Sequence, residues 1–440
     1  MRRWVRQAAR KRLFRRVMRE LQTPLLRNGY ALVANSFVTS GLGFVYWLLV
    51  ARLFDATQVG MSGALISTVV TISAFAQFNL GGALTRFLPI VGIGAGQLIW
   101  ISYAVVGLAS LVASLGFVVV APIVSPELAD TLERTGLGHW LLVAAVCWSI
   151  FVVQDGVLTG LRIAPWVTLK NTVFGLAKML LLVGLALSPS NADVFISWFA
   201  PALPILVLAH LVIAREARRL ARDGPQDFVL EREVRSITRY VGPDYIGALG
   251  GLAASGLAPL VVLHRFGAEM NAIYFMCWTI TYTLQLVSLS IGSSLVAEGA
   301  LNQDSLRLLV TNAIKHTLVI VAAAVVVILV AAPLILRLFG AAYATEGADL
   351  LRLLALSSVP FAFTSVFLSV ARIQGRMQLV MVSQLVLMVL VLGLGYVLSG
   401  LFGVNGMGAA WLLAETFVAI TLGYALIGRR RQRGVAWTSP

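Results

Sequence analysis

Runs of roughly 20 apolar residues, separated by short polar breaks, recur along the whole chain. Twenty helical residues rise ~30 Å, the thickness of a bilayer's hydrocarbon core. Water is absent there, so each run must satisfy its backbone hydrogen bonds internally, as a helix does. The sequence therefore predicts an all-α integral membrane protein. Composition agrees, since only 12% of the 440 residues are charged, about half the usual share in soluble proteins.

Twelve spans are expected, over 29–51, 60–80, 97–121, 139–160, 166–187, 193–213, 242–263, 271–295, 312–336, 350–371, 377–400 and 405–427. After the second, GGALTRFLP reads as an exit, with its glycine pair and proline. Basic residues set the orientation. If the termini are inside, the outer loops hold only Arg52, Arg134, Arg265, Arg337 and Arg352. The remaining basic residues, Lys178 apart, gather on the inner side, so N-in and C-in is expected. The net charge of +15 then reports topology and attraction to an anionic inner leaflet rather than nucleic acid.

The most polar interior stretch, 214–241, divides the chain into a six-helix lobe over 29–213 and a second over 242–427. RLFDATQVG…NLGG, from Arg52, loosely matches RFGAEMNAI…SIGS, from Arg265, as in a transporter built from two repeats. A basic segment, 1–28, precedes the first span and a basic tail, 428–440, follows the last. In the former, Trp4, Ala8, Phe14, Val17 and Leu21 form a ragged apolar face. An interfacial helix and a solvated positive-inside signal both fit it. No cleavable signal peptide is expected, because the first apolar run starts near Tyr30.

Polar side chains at membrane depth are the candidate functional residues. A charge at the bilayer centre costs about 2.5–3.5 kcal/mol, so it faces a bundle interior or a wet cavity. Lys178 lies in the middle of NTVFGLAKMLLLVGLAL. Asp155, on the preceding span, and Glu415, in the last, are its candidate partners; Asp155 can instead meet Arg162 or Lys170. A structural ion pair and a cavity contact both remain open for Lys178. Asp155, Asp244 and Glu415 are the candidates for ion pairing or ion coupling. Asn35, Gln77 and Gln285 are candidates to line a cavity. Ser36, Thr39, Ser40, Ser73, Asn79, Ser255, Thr279, Thr281, Tyr282, Thr283 and Ser288 can return hydrogen bonds to their own helices. Arg52, Arg86 and Arg265 close spans, either as interfacial anchors or as bidentate phosphate contacts at a cavity mouth.

Soluble-enzyme chemistry has no sequence support. There is no Walker A loop, and the four histidines show no metal-ligand spacing. Cys147 and Cys277 fall within spans and form no disulfide framework. Glu127, Asp130 and Glu133 read as the polar cap of a loop rather than a glycosyltransferase site. No catalytic residue, metal or cofactor is expected.

Three stretches carry a resemblance: ANSFVTSGLGFVYWLLVARLFDATQVGMSGALISTVVTISAFAQFNLGGALTRFLP over 34–89, VQDGVLTGLRIAPWVTLKNTVFGLAKMLLLVGLAL from Val153, and ILRLFGAAYATEGADLLRLLALSSVPFAFTSVFLSVARIQGRM from Ile335. They resemble polysaccharide flippases of the Wzx type, within the MOP superfamily that also holds MATE exporters. The resemblance implies two six-helix lobes around a cavity opened alternately to each side of the bacterial cytoplasmic membrane. It implies a polyprenyl-(pyro)phosphate-linked oligosaccharide as substrate, turned to the outer leaflet for surface polysaccharide assembly. Lys178, Arg52, Arg86 and Arg265 are the cations placed to meet the pyrophosphate. A MATE-like exporter of small amphipathic molecules is the alternative. A third reading is a membrane scaffold that recruits glycosyltransferases or a polymerase through the basic N-terminus.

Overall fold

The computed structural model describes residues 24–124, 126–134, 136–187, 190, 192–223, 230–301 and 306–433. The proposed N-terminal interfacial helix lies outside them. Helix α1 spans Pro24–Leu53 and α2 Ala56–Ala76. Asp55 separates them. It accepts from the Gln58 backbone N–H at 2.8 Å, and the Gln58 side chain reaches back to the Asp55 N–H. This capping box satisfies two donors that a helix start leaves open.

Phe78 and Asn79 then take left-handed backbone angles and start α3, Leu80–Val91. The stretch read as an exit is thus helical, and Pro89 lies inside it. Proline removes one donor near the end of this short helix, while Leu84, Leu88 and Val91 pack into the core. Helices α4 (Ala95–Val124), α5 (Pro126–Arg134), α6 (Leu137–Gly160), α7 (Pro165–Leu185), α8 (Asp193–Phe199) and α9 (Ala202–Asp223) follow. The α3–α6 contact is close because α6 presents Gly156 and Gly160. A Cβ at Gly156 would lie 2.3 Å from the Gly81 oxygen, so only small residues allow this approach.

The second part comprises α10 (Leu230–Leu301), α11 (Leu306–Arg337), α12 (Ala341–Ile373), α13 (Met377–Phe402) and α14 (Asn405–Arg433). Among the described residues, ten helical stretches are long and apolar enough to cross a membrane. The expectation of twelve spans in two six-helix lobes does not stand. Two differences account for it. In α1 only Val38–Leu53 is counted among the fully described residues, and that stretch falls short of the length of a span. The stretches 242–263 and 271–295 count once, as Ala248–Val296, because the two helices they form meet directly at a kink at Gly267 with no intervening loop. The polar HRFGAEMN stretch reads as a loop in sequence, yet its backbone stays helical on both sides of one glycine. Ten crossings, like twelve, are an even number and leave both termini on one side.

Helices before residue 224 pack mainly on one another, as do those after 230, and α2 against α10 joins the two groups. At one end of this seam Asn271 donates to the Gly60 oxygen at 2.8 Å. Farther along, Ser67 donates to the Gly256 oxygen at 3.1 Å, and Tyr245 to the Phe75 oxygen at 2.6 Å. Large apolar side chains such as Val119, Ile123, Leu180, Val330 and Leu401 face outward. That outer surface is suited to lipid, and the chain is a multi-pass membrane protein.

Candidate functional site: an aromatic cleft backed by a lysine

A cleft of about 480 Å³ opens between α1, α2 and both parts of α10. Its walls hold Thr39 and Ser40 of α1, Ser67 and Thr71 of α2, and Ser255, Thr279, Tyr282 and Thr283 of α10. Trp47, Trp198, Phe275 and Trp278 add aromatic faces. Among the described residues, no charged side chain lines it. Toward the C-terminal end of α1 the two groups of helices meet. There Phe44 packs edge-on against Phe339, with ring centres 5.7 Å apart. Arg52 donates to the backbone oxygens of Arg337, at 2.8 Å, and Leu338.

The hydroxyls have a defined polarity. Thr71, Ser255, Thr279 and Thr283 each donate to the backbone oxygen four residues earlier in their own helix. Their oxygens therefore face the cleft as acceptors. Such a wall receives hydrogen bonds from hydroxyl and amide donors. The rings are fixed by packing: Trp47 lies 4.6 Å from Phe275, and Trp278 stacks on Trp411 at 4.4 Å.

Lys178 sits behind this wall. It is only 4% exposed. Its Nζ lies 3.5 Å from the ring centre of Trp198, 4.5 Å from that of Tyr46 and 5.3 Å from that of Phe174. It pairs with neither Asp155 nor Glu415. Each aromatic face returns about 0.5–2 kcal/mol, enough together to offset the ~3 kcal/mol cost of a charge at this depth. The Tyr46 hydroxyl is engaged elsewhere, 3.0 Å from the Val194 oxygen and 2.8 Å from Ser197 Oγ.

Asp155 takes the other lysine of α7. Lys170 Nζ lies 2.7 Å from Asp155 Oδ1 and 3.7 Å above the Phe151 ring, and also donates to the Phe151 oxygen. Asn171 Nδ2 extends the cluster, lying 3.1 Å from Asp155 Oδ2 and 3.1 Å from Asn35 Oδ1. Lysines 170 and 178 are eight residues apart, so both occupy one face of α7. Only the first has a carboxylate.

The remaining candidates are dispersed. Arg265 stacks on Tyr396 of α13 at 4.3 Å, and Arg86 lies 5.6 Å from the Phe87 ring. Gln77 donates to Ser73 Oγ at 3.0 Å, and Gln285 is buried. Glu415 is fully buried. Thr364 faces it, but that hydroxyl donates to the Pro360 oxygen, and neither carboxyl oxygen has a hydrogen bond of normal geometry. The Asp244 side chain lies outside the described residues. None of Arg52, Arg86, Arg265, Asn35, Gln77 and Gln285 lines the cleft. Sequence reasoning missed Trp47, Trp198, Phe275 and Trp278. Tryptophan belongs at membrane interfaces, so Trp278, well inside an apolar run, was the available signal.

No protein-family model and no curated protein matches the sequence. The fold does match solved structures. An inward-facing multidrug resistance MATE family transporter of the MOP superfamily superposes with a TM-score of 0.60 at 18% identity, over 93% of this chain and 96% of that one. A Vibrio cholerae MATE transporter matches at 0.60 and 13% identity, over 94% and 98%. The lipid II flippase MurJ, in an inward closed conformation, matches at 0.69 and 13% identity, over 90% and 87%. The chain has the fold of MOP-superfamily transporters.

Proposed function

We propose that the chain is a flippase. It carries a polyprenyl-(pyro)phosphate-linked oligosaccharide from the inner to the outer leaflet of the bacterial cytoplasmic membrane, for cell-surface polysaccharide assembly. Both kinds of matching transporter share the fold, so the choice between them rests on the cleft. The observation that carries it is the uncompensated Lys178 behind Trp198. A ligand charge against the cleft face of that ring would lie roughly 7 Å from Nζ, an interaction of about 2 kcal/mol at an effective dielectric near 20. The sign favours an anion and opposes a cation. An ammonium on one face of an indole also weakens its pull on a second cation. A MATE-like exporter of amphipathic cations is disfavoured on both counts.

The neutral walls suit the glycan. Sugar hydroxyls donate to the acceptor oxygens of Thr71, Ser255, Thr279 and Thr283, and a pyranose face lies against Trp278. Translocating sugar and phosphate through hydrocarbon needs such a polar path. The polyprenyl tail remains in lipid. Glycosyltransferases and a polymerase are the natural partners, since one class must supply this substrate and another consume it.

Deletion in the native cell tests the reading. Loss of surface polysaccharide with accumulation of cytoplasm-facing lipid-linked oligosaccharide supports it. Normal polysaccharide with reduced efflux of amphipathic cations would instead identify an exporter. A cleft-filling variant, Ser255→Trp, separates transport from scaffolding: a flippase loses export, whereas a scaffold keeps it.

A further inference from the structure

The cleft and the aromatic surround of Lys178 share one side chain. Trp198 lines the cleft and covers the lysine at 3.5 Å. Its indole Nε1 is buried with no hydrogen-bond partner. The ring is held by aromatic packing, 5.0 Å from Tyr46 and 5.5 Å from Trp47. It stands on α8, which has seven residues and is separated from α9 by Ala200 and Pro201. Proline has no N–H to continue the helical bonding. The side chain between cleft and cation is thus neither anchored by a hydrogen bond nor mounted on a long helix.

We infer that Lys178 is an occluded phosphate site and that Trp198 is its shutter. When the indole moves aside, the ammonium faces the cleft and contacts a phosphate or diphosphate group. When it returns, the charge is covered and the cleft wall is neutral again. The inference deepens the flippase reading, on which it rests for the identity of the ligand. It adds a cation for the anionic group, which the uncharged walls do not supply. Transport needs a site that binds in one state and releases in the other, and covering a cation with an aromatic ring does this without a competing carboxylate. Of the two lysines on this face of α7, only Lys178 is free for the role, because Lys170 is neutralised by Asp155.

The test uses the purified full-length chain in nanodiscs of zwitterionic lipid, with inorganic pyrophosphate as the probe and equilibrium dialysis as the readout. Trp198→Ala should bind pyrophosphate at least tenfold more tightly than the wild type, and Trp198→Ala/Lys178→Gln should lose that gain. Trp198→Leu provides the same comparison should the alanine variant not stay monodisperse. A parallel arm, with glycan-free polyprenyl pyrophosphate in the nanodisc, should show Lys178-dependent binding in the wild type. Binding in the first arm alone would assign the site to free phosphate and overturn the lipid assignment. Equal affinity in wild type and Trp198 variants, or a gain that survives Lys178→Gln, would overturn the shutter. The flippase reading fails separately, through the cell assay above.

Discussion

Arg52, at the end of α1, donates to the backbone oxygen of Leu338, just past the end of α11, and so ties the first group of helices to the second. The acceptors are carbonyls at a helix C-terminus, where a cation is favoured. Arg52 is exposed, so water competes and the contact is worth about 1 kcal/mol.

Arg52→Ala should therefore loosen this end of the cleft by roughly a factor of five. Spin labels at Leu53 and Leu338, with Cys147→Ala and Cys277→Ala, report the separation. The variant should gain a longer-distance population by pulsed electron spin resonance. An unchanged distribution would show that Phe44 and Phe339 close this end unaided.

The seam between α2 and α10 makes a sharper demand. A Cβ on Gly60 would lie 1.6 Å from the Ala268 oxygen, whereas on Gly256 it would meet the side-chain oxygen of Thr71 at 1.8 Å. Backbone cannot retreat as a side chain can. Gly60→Ala should abolish monodisperse protein on fluorescence-detected size exclusion, and Gly256→Ala, which crowds the Thr71 side chain (its Cβ at 2.8 Å) rather than backbone, should reduce it less. The reverse order would refute this packing.

Lys170 and Asp155 form a pair of unequal burial: Lys170 has 3% of its side chain exposed and Asp155 32%. Asp155→Ala strands a buried ammonium and should cost about 2 kcal/mol, discounted from the 3–5 kcal/mol of a fully buried pair. Asp155→Ala/Lys170→Met should recover most of this in detergent-titration unfolding. Additive losses in the double variant would mean that the pair carries no coupling energy.

The membrane class and most helix limits were legible because hydropathy and length suffice for them. The Asp55–Gln58 capping box went unread, although the spacing D-x-x-Q signals it. The span count was not legible. A polar stretch such as HRFGAEMN marks a loop only if its backbone leaves the helix, and here only Gly267 does so. The cluster of residues 35, 155, 170 and 171 was partly readable, since Lys170 was one of several candidate partners for Asp155. The cleft was harder. Hydropathy flags charges as functional, but its walls are aromatic and hydroxyl-bearing, and Arg265 spends its charge on Tyr396. Nothing in one sequence reveals that Trp47, Trp198 and Phe275 converge, because they lie on helices far apart in the chain.

The central claim is that one buried ammonium, rather than arginines at a mouth, gives the cleft its preference for an anionic substrate. Surface polysaccharide in cells carrying only a variant copy, normalised to membrane-inserted protein, tests it most directly. Lys178→Gln should reduce export at least tenfold, Lys178→Arg should retain a substantial part, and Arg265→Gln should match the wild type. Wild-type export from Lys178→Gln, or loss in Arg265→Gln alone, would contradict the account.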